Sequence, residues 1–357
     1  MILTDTNKPV REAMELWDPF VSLIESSENF ILSTHENSDG DGLGSESALA
    51  GVLRQLGKNV TILNPTPIPK NYQFLPLLRD AEIFAESYQG HKRLLSDADA
   101  FFLLDTNRLS RTRGIEPLVR HNREHGMLRV VCIDHHLDPE DFSDLAICQS
   151  YAAATGELVY ELVKALEQHY ATPLITREVA VGLYTAIMTD TASFKLPKTS
   201  PHLHRITAEL LDTGITPMSI HEKIYNTYTV GVMQLIGTSM QSVVQIANGK
   251  VSFISVTQSL LKKTGTGIAD TEKLTEYLMG MPETELGILF IELPDGKTKI
   301  SFRSRGDIAV NKLAAQYGGG GHKNAAGCTA PFPLETAIKT ISAEASSIVS
   351  LSSALFN

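Results

Sequence analysis

Short unbroken apolar runs, separated by amphipathic stretches, set the pattern of residues 29–190. Asn29 to Thr34 (N-F-I-L-S-T), Asn59 to Leu63 (N-V-T-I-L), Ala100 to Leu104 (A-F-F-L-L) and Leu128 to Ile133 (L-R-V-V-C-I) are each short enough for a strand buried on both faces. Such strands read as continuous apolar runs rather than as an alternation. Between the first two lies a polar, glycine-bearing loop from His35 to Gly42, then a helical stretch from Leu43 to Leu56, with Gly57 where a C-terminal cap is wanted. Strand, helix, strand is a βαβ unit. Gly156 to Gln168 and Arg177 to Thr189 are predicted as further helices, the second running into Asp190, before Pro197, Ser200 and Pro201 break the pattern.

Residues 206–246 are mostly helical in pattern and are expected to link two domains and to hinge between them. Beyond them the pattern turns to strands: Val251 to Val256, Leu286 to Leu293 and Thr298 to Ser304. Pro294-Asp295-Gly296 between the last two is a hairpin signal, since Pro fixes φ, Asp bonds nearby backbone and Gly tolerates positive φ. Asp307 is placed to cap a helix running to Tyr317, which ends in Gly318-Gly319-Gly320-Gly321-His322. There is no internal repeat, and the serines of 346–353 are a minor bias. The expected class is α/β with two domains: an N-terminal parallel-sheet domain over 1–205, a helical linker over 206–246, and a smaller mixed α/β domain over 247–357.

Composition narrows the class without changing that picture. At roughly 150 residues per domain, the chain's 357 residues suit two domains. Hydrophobic residues at 43% and charged residues at 20% are ordinary globular usage, which argues against a disordered chain, a collagen-like repeat or a membrane bundle. The net charge of -10 repels long duplex DNA, but allows a small nucleotide in a local basic pocket. Met1 to Arg11 has no apolar core of a secretory signal, and no run of about 18 apolar residues exists to span a membrane. The three cysteines, Cys132, Cys148 and Cys328, form neither a disulfide framework nor a zinc ribbon, so a reducing cytoplasm is the expected location.

Three of the four predicted strands end in residues able to bind metal: His35, Asp105, and Asp134-His135-His136. Open parallel sheets bind ligands at the carboxyl ends of their strands. His35-x3-Asp39-x-Asp41 fills the loop after the first strand, and Asp190 lies near a helix end. Imidazole with several carboxylates suits a divalent ion of the manganese type. A shared carboxylate can bridge two ions about 3.5–4 Å apart, the spacing used for phosphate-ester hydrolysis. Alone, Asp-Gly-Asp is usually a turn and His-His a surface feature. Together at one end of a sheet, the carboxylates would repel one another without cations.

A second constellation is Ser301-Phe302-Arg303-Ser304-Arg305 with Gly318 to Gly327 (G-G-G-G-H-K-N-A-A-G). Successive glycines allow close approach of backbone N–H groups to an anion. Arg303 can fork onto a phosphate and His322 can donate to one. In isolation, four glycines read as a turn after a helix. The run is neither a Walker A loop nor a dinucleotide fingerprint. Arg108, Arg111 and Arg113 follow Asp105 and are either an exposed basic loop or a phosphate contact, with Arg111 the preferred candidate. Cys132 reads as a small hydrophobe in a strand, and Trp17, Phe101 and Phe102 as core.

His35-Glu-Asn-Ser-Asp39-Gly-Asp41-Gly-Leu-Gly44-Ser45, then Asp105, then Asp134-His135-His136, then Thr189-Asp190-Thr191 resemble the four motifs of DHH phosphoesterases. Arg303-Ser304 and Gly318 to Gly327 resemble the companion DHHA1 domain. The resemblance spans about residues 15 to 345, and in length and layout it points to the bacterial oligoribonuclease/pAp-phosphatase group, the nanoRNases. It implies that His35, Asp39 and Asp105 hold one Mn²⁺, and that Asp41, Asp105, His135 and Asp190 hold a second, with Asp105 as the bridge and Mg²⁺ or Co²⁺ as substitutes. Asp41, Asp105, His135 and His136 would be catalytic. His136 would support a ligand or touch the phosphate, and Asp134 would orient a histidine rather than bind metal. Arg303, Ser304, Gly320, Gly321 and His322 would hold the far end of the substrate, with the active site in the cleft between the two domains. Ser38 stands where the family often has proline, which bears on loop stiffness rather than on ligands.

The activity so implied is hydrolysis of very short RNA to mononucleotides and of pAp to AMP. The alternative is a phosphodiesterase for cyclic or linear dinucleotides such as c-di-AMP, pApA and pGpG. The chain leaves no room for an added nucleic-acid-binding domain, so short substrates are favoured. A pyrophosphatase fits worse, since those relatives have a different second domain. A non-catalytic nucleotide-binding module would require lost metal ligands, and none of the six positions is lost. A homodimer is compatible with the resemblance.

Overall fold

The four apolar runs are neighbouring strands of one parallel sheet in the computed structural model, which describes residues 16–271 and 273–354. The N-terminal segment considered above as a secretory signal lies outside the described residues. The chain divides into two compact units, Met1–Thr227 and Tyr228–Asn357.

In the first unit the strands are β1 (Asn29–Ser33), β2 (Asn59–Asn64), β3 (Glu82–Ile83), β4 (Ala100–Leu104), β5 (Arg129–Asp134) and β6 (Leu145–Cys148). They are ordered β3-β2-β1-β4-β5-β6 and all pair in parallel. The edge strands β3 and β6 are too short to leave a pattern in the sequence. The order reverses between β1 and β4, which brings the carboxyl ends of these two strands together at a topological switch point. The helices are α1 (Asp18–Ser26), α2 (Gly40–Gln55), α3 (Gln89–Asp97), α4 (Glu116–Glu124), α5 (Thr155–Tyr170), α6 (Arg177–Asp190), α7 (Pro201–Asp212) and α8 (Pro217–Tyr225). The sheet is buried on both faces. Ala100, Phe102 and Leu104 of β4 face one core with Leu43, Leu158 and Leu183, while Phe101 and Leu103 face another with Leu95 and Val119. Trp17 belongs to the first core.

Two helix starts differ from the sequence pattern. Helix α2 begins at Gly40 rather than Leu43, because Asp39 caps it: its Oδ1 accepts from the Asp41 amide at 3.0 Å and from the Gly42 amide at 3.4 Å. The Ser200-Pro201 break is the start of α7, with the Ser200 hydroxyl accepting from the Leu203 amide and Pro201 in the first turn. Cys132 and Cys148, remote in sequence, are brought to a sulfur–sulfur distance of 3.8 Å by β5 and β6 and remain free.

The second unit holds β7 (Val244–Ile246), β8 (Val251–Val256), β9 (Leu286–Glu292), β10 (Thr298–Ser304), β11 (Gly320–His322) and β12 (Ala325–Ala330), ordered β11-β12-β10-β9-β8-β7. Only β8 and β9 pair in parallel. Its helices are α9 (Val230–Gln241), α10 (Gln258–Thr264), α11 (Leu274–Met279), α12 (Val310–Ala315) and α13 (Leu334–Ala354). One face of the sheet packs Phe290, Ile300 and Phe302 on α12 and α13, and the other packs Leu289 and Ile291 on α9, α10 and α11. The β9–β10 hairpin turns at Gly296, with φ +80°. Asp307 does not cap a helix as expected: α12 starts after Ala309, and the Asp307 carboxylate pairs with Lys323 at 2.6 Å. The glycine run starts as the turn after α12, with Gly318 at φ +70°, and its second half becomes strand: Gly320 to His322 is an edge strand paired with Ala325 to Gly327.

Candidate metal centre

The carboxyl ends of β1, β4 and β5 and the end of α6 deliver their side chains to one place. His35 Nε2 lies 3.5 Å from Asp105 Oδ2 and 3.9 Å from Asp39 Oδ2. His135 Nε2 lies 3.5 Å from Asp41 Oδ2, 3.6 Å from Asp105 Oδ1 and 3.4 Å from Asp190 Oδ2. Three sets of ligand atoms are thereby each drawn within 4.8 Å: His35–Asp39–Asp105, Asp41–His135–Asp190 and Asp105–His135–His136. Asp105 occurs in two of them and sits at the centre. It takes a left-handed φ of +61° at the end of β4, while its amide still bonds the Ile133 carbonyl. A non-glycine residue there costs roughly 1–3 kcal/mol, strain that collects at functional sites.

Both buried imidazoles are oriented from behind. His135 Nδ1 is 3.3 Å from the Ala152 carbonyl and His35 Nδ1 is 2.8 Å from the Glu36 carbonyl. A carbonyl requires an N–H opposite it, so in each ring Nδ1 carries the proton and Nε2 presents a lone pair to carboxylates. Burial lowers the pKa of both rings, that of His135 to about 4. His135 Nε2 is buried with no hydrogen-bond partner. Burial, and then their mutual repulsion with the other aspartates, holds Asp41 and Asp105 well above the usual carboxylate range and pushes Asp190 to about 6. Lone pairs and carboxylates that face one another at these distances are reconciled by cations, and oxygen and imidazole donors fit a divalent one.

His136 differs. Its Nδ1 is 2.7 Å from Asp134 Oδ1, its amide donates to Asp134 Oδ2 at 3.1 Å, and it is half exposed. The bond to Asp134 raises its pKa. Asp134 thus holds a histidine. Arg111 lies beside the cluster, Nη2 2.9 Å from His35 Nδ1. Sequence reading missed Thr155 and Gly156. Their amides donate to Asp41 at 2.6 and 2.9 Å, and the Thr155 hydroxyl donates to Asp105 at 3.1 Å. The signal was present, because the N-terminus of a predicted helix is a ready site for an anion.

The remaining candidates lie in the second unit. Arg303 and His322 both pair opposite Ala325, so the three side chains form one row across β10, β12 and β11 on one face. Gly319 and Gly321 are required by strand packing, since an added Cβ would fall 2.1 Å from the Gly327 carbonyl oxygen and 2.5 Å from that of Ala325. A Cβ on Gly320 would meet nothing within 4 Å. The Ser304 hydroxyl is used internally: it donates to the Ile308 carbonyl at 2.6 Å and accepts from Asn324 at 3.0 Å.

A parallel α/β domain whose switch point gathers imidazoles and carboxylates that need cations belongs to the class of divalent-cation phosphoester hydrolases. The chain is a member of the DHH family: residues 29–187 match the DHH family N-terminal domain, and residues 244–350 match the DHHA1 domain. It is 28% identical over 329 residues to the bifunctional oligoribonuclease and PAP phosphatase NrnA of Thermus thermophilus, covering 91% of each chain. With the protein of the same name from Bacillus subtilis it shares 26% identity, covering 87% of this chain and 91% of the relative. The crystal structure of an exopolyphosphatase-related protein from Bacteroides fragilis superposes with a TM-score of 0.85 at 27% identity, covering 96% of this chain and 98% of the other.

Proposed function

We propose that the protein hydrolyses short oligoribonucleotides to mononucleotides and pAp to AMP, using two Mn²⁺ ions. The observation that carries the reading is Asp105 between the two imidazoles, its Oδ2 3.5 Å from His35 Nε2 and its Oδ1 3.6 Å from His135 Nε2, with the buried His135 Nε2 left without a hydrogen-bond partner. The two relatives bearing oligoribonuclease and PAP phosphatase names support the substrate class.

In this reading His35, Asp39 and Asp105 hold one ion, and Asp41, Asp105, His135 and Asp190 hold the other. Divalent ions there supply a water nucleophile at neutral pH and offset charge on the phosphoryl oxygens. The protein's own groups do the rest. The Ala152 and Glu36 carbonyls fix the tautomers of His135 and His35, and the Thr155 and Gly156 amides fix the Asp41 carboxylate. His35 Nδ1 cannot donate to Glu36 and accept from Arg111 at once, so with its proton directed at the Glu36 carbonyl the adjacent Arg111 guanidinium is available to a phosphate oxygen. His136, kept basic by Asp134, donates from Nε2 to the phosphoryl group. Arg303, His322 and the open backbone at Gly320 bind the distal part of a short substrate.

The test is a product assay with Mn²⁺ on pAp, pApA, pGpG, a short RNA, a long RNA and c-di-AMP, run beside an EDTA control and Asp105→Ala. The expected result is rapid cleavage of pAp and linear dinucleotides, slow attack on long RNA, and loss of all activity in EDTA and in Asp105→Ala. Preference for c-di-AMP over every linear substrate would replace this reading by second-messenger hydrolysis at the same cluster.

A further inference from the structure

The segment 105–107 does more than carry Asp105. It leaves β4 and turns across the end of β5, where the Asp105 amide bonds the Ile133 carbonyl at 3.1 Å and the Cys132 thiol reaches the Thr106 carbonyl at 3.5 Å. Asn107 follows and is buried. Its Nδ2 lies 3.1 Å from the His136 carbonyl oxygen and 3.0 Å from that of Leu137. Both neighbours are acceptors, so the amide nitrogen faces them, and its two hydrogens satisfy one carbonyl each. Loop asparagines ordinarily bond backbone within their own turn; this one reaches carbonyls 29 and 30 residues away. The Asn107 carbonyl accepts from the Glu140 amide at 3.2 Å and ties the same loop a second time.

That loop needs an outside hold. Strand β5 ends at Asp134 and β6 begins at Leu145, so strand pairing does not fix the residues between them. His136 lies in this stretch, half exposed. Asp134 secures its amide at 3.1 Å and its ring, through Nδ1, at 2.7 Å. Both bonds come from one carboxylate two residues back, and neither restrains the peptide that follows His136. Asn107 restrains that peptide from a different strand. With it in place, His136 Nδ1 stands 3.9 Å from Asp105 Oδ1. One short segment thus carries the central carboxylate of the cluster at one end and the amide that grips His136 at the other. Buried hydrogen bonds of this kind resist any shift of one against the other.

We propose that Asn107 is a positioning residue for the hydrolysis: by holding the His136 and Leu137 carbonyls from the segment that bears Asp105, it fixes the His136 ring where the phosphoryl group reacts. The proposal rests on the nucleotide-hydrolase reading above, in which His136 donates to that group, and it adds the side chain through which the strand bearing Asp105 sets the place of His136.

The experiment compares full-length wild type, Asn107→Ala, Asn107→Leu, His136→Ala and the double variant Asn107→Ala/His136→Ala, loaded with Mn²⁺, on pAp and on pApA. Asn107→Ala is expected to lower kcat about 10- to 100-fold, as a misplacement near 1 Å does, with KM nearly unchanged. Asn107→Leu keeps a similar volume without the donor and should lose kcat likewise; it carries the test if the alanine variant folds poorly. The double variant should be no slower than His136→Ala alone, because a residue that acts only through His136 has nothing left to position. Mn²⁺ affinity, measured by calorimetry, should match wild type in both Asn107 variants. Wild-type kcat in both overturns the proposal. Losses that multiply in the double variant, or that follow a loss of Mn²⁺ affinity, overturn it too, since Asn107 would then support the fold or the metal cluster instead of His136. A wild-type protein that cleaves neither nucleotide but does cleave bis(p-nitrophenyl) phosphate overturns the nucleotide reading instead, and the same variants then decide Asn107 on that ester.

Discussion

Glu46 shows how much a single side chain beneath the site can decide. It is fully buried in α2, its Oε2 accepts from Asn64 Nδ2 at 2.8 Å, and its Oε1 has no partner. Asn64 in turn accepts from the Thr34 amide, one residue before His35. Burial raises the Glu46 pKa to about 8 from 4.5, so the folded protein holds a proton that the unfolded chain releases. Its contribution to stability is complete below about pH 4.5 and is lost as pH rises through about 8. Glu46→Gln keeps the shape without the proton. The variant should match wild type near pH 5 and melt higher at pH 8 to 9, with scanning calorimetry across that range as the measurement; parallel curves for the two proteins would refute an ionisable Glu46. A second residue-level expectation concerns His136, whose raised pKa comes first from its bond to Asp134. In metal-free protein, Asp134→Asn should lower the His136 pKa, as read by NMR titration of the ring, and should reduce kcat more than KM.

At the scale of elements, the crossing of α2 and α6 sets the distance between Asp41 and Asp190. Here the helices touch through glycines. A Cβ on Gly182 would lie 2.7 Å from the Gly44 carbonyl oxygen, and a Cβ on Gly44 would lie 2.5 Å from that of Gly182. Backbone cannot yield as a flexible side chain can, so Gly182→Ala should destabilise by about 1–3 kcal/mol through overpacking and spread the two carboxylates. Urea unfolding and Mn²⁺ affinity measure the two effects, and a stable variant with unaltered affinity would remove the crossing from the argument. The four long strands and the helices that bury whole turns were legible because two-sided burial demands apolar runs, as in Ala100–Leu104. Less legible were elements held by pairing or capping instead of by pattern. Strand β11 is Gly-Gly-His, which has no β propensity and exists only because β12 pairs with it. The first turn of α2 contains Gly40, Asp41 and Gly42 and depends on the Asp39 cap. The site showed the same division. Ligand-type residues at strand ends were visible, whereas Glu46 takes its position from a tertiary contact with Asn64 that no local spacing encodes.

For the whole molecule, the cluster couples folding, proton uptake and metal binding. Without cations, Asp190 titrates near 6 and Asp41 and Asp105 stand well above the ordinary range, all of them first through burial. Each is a raised carboxylate, so each adds stability at low pH that disappears as pH climbs from about 4 through its folded pKa. The protein in EDTA should therefore be more stable at pH 5 than at pH 8. Divalent metal reverses the slope, because the ligands must be ionised to bind and binding stabilises the folded state by mass action. With Mn²⁺ in excess, the melting temperature should rise from pH 5 to pH 8, opposite to the EDTA series. Asp105→Asn distinguishes the cluster from Glu46, which bends the EDTA curve the same way. Removing the central charge should raise the metal-free melting temperature at pH 8, while Glu46 continues to titrate, and should shrink the gain from Mn²⁺. The measurement is a thermal-shift series at both pH values with EDTA or Mn²⁺ for wild type, Glu46→Gln and Asp105→Asn. If Asp105→Asn melts no higher than wild type in EDTA at pH 8 and gains as much from Mn²⁺, the carboxylates do not repel one another there, and the case for cations at Asp105 fails with them.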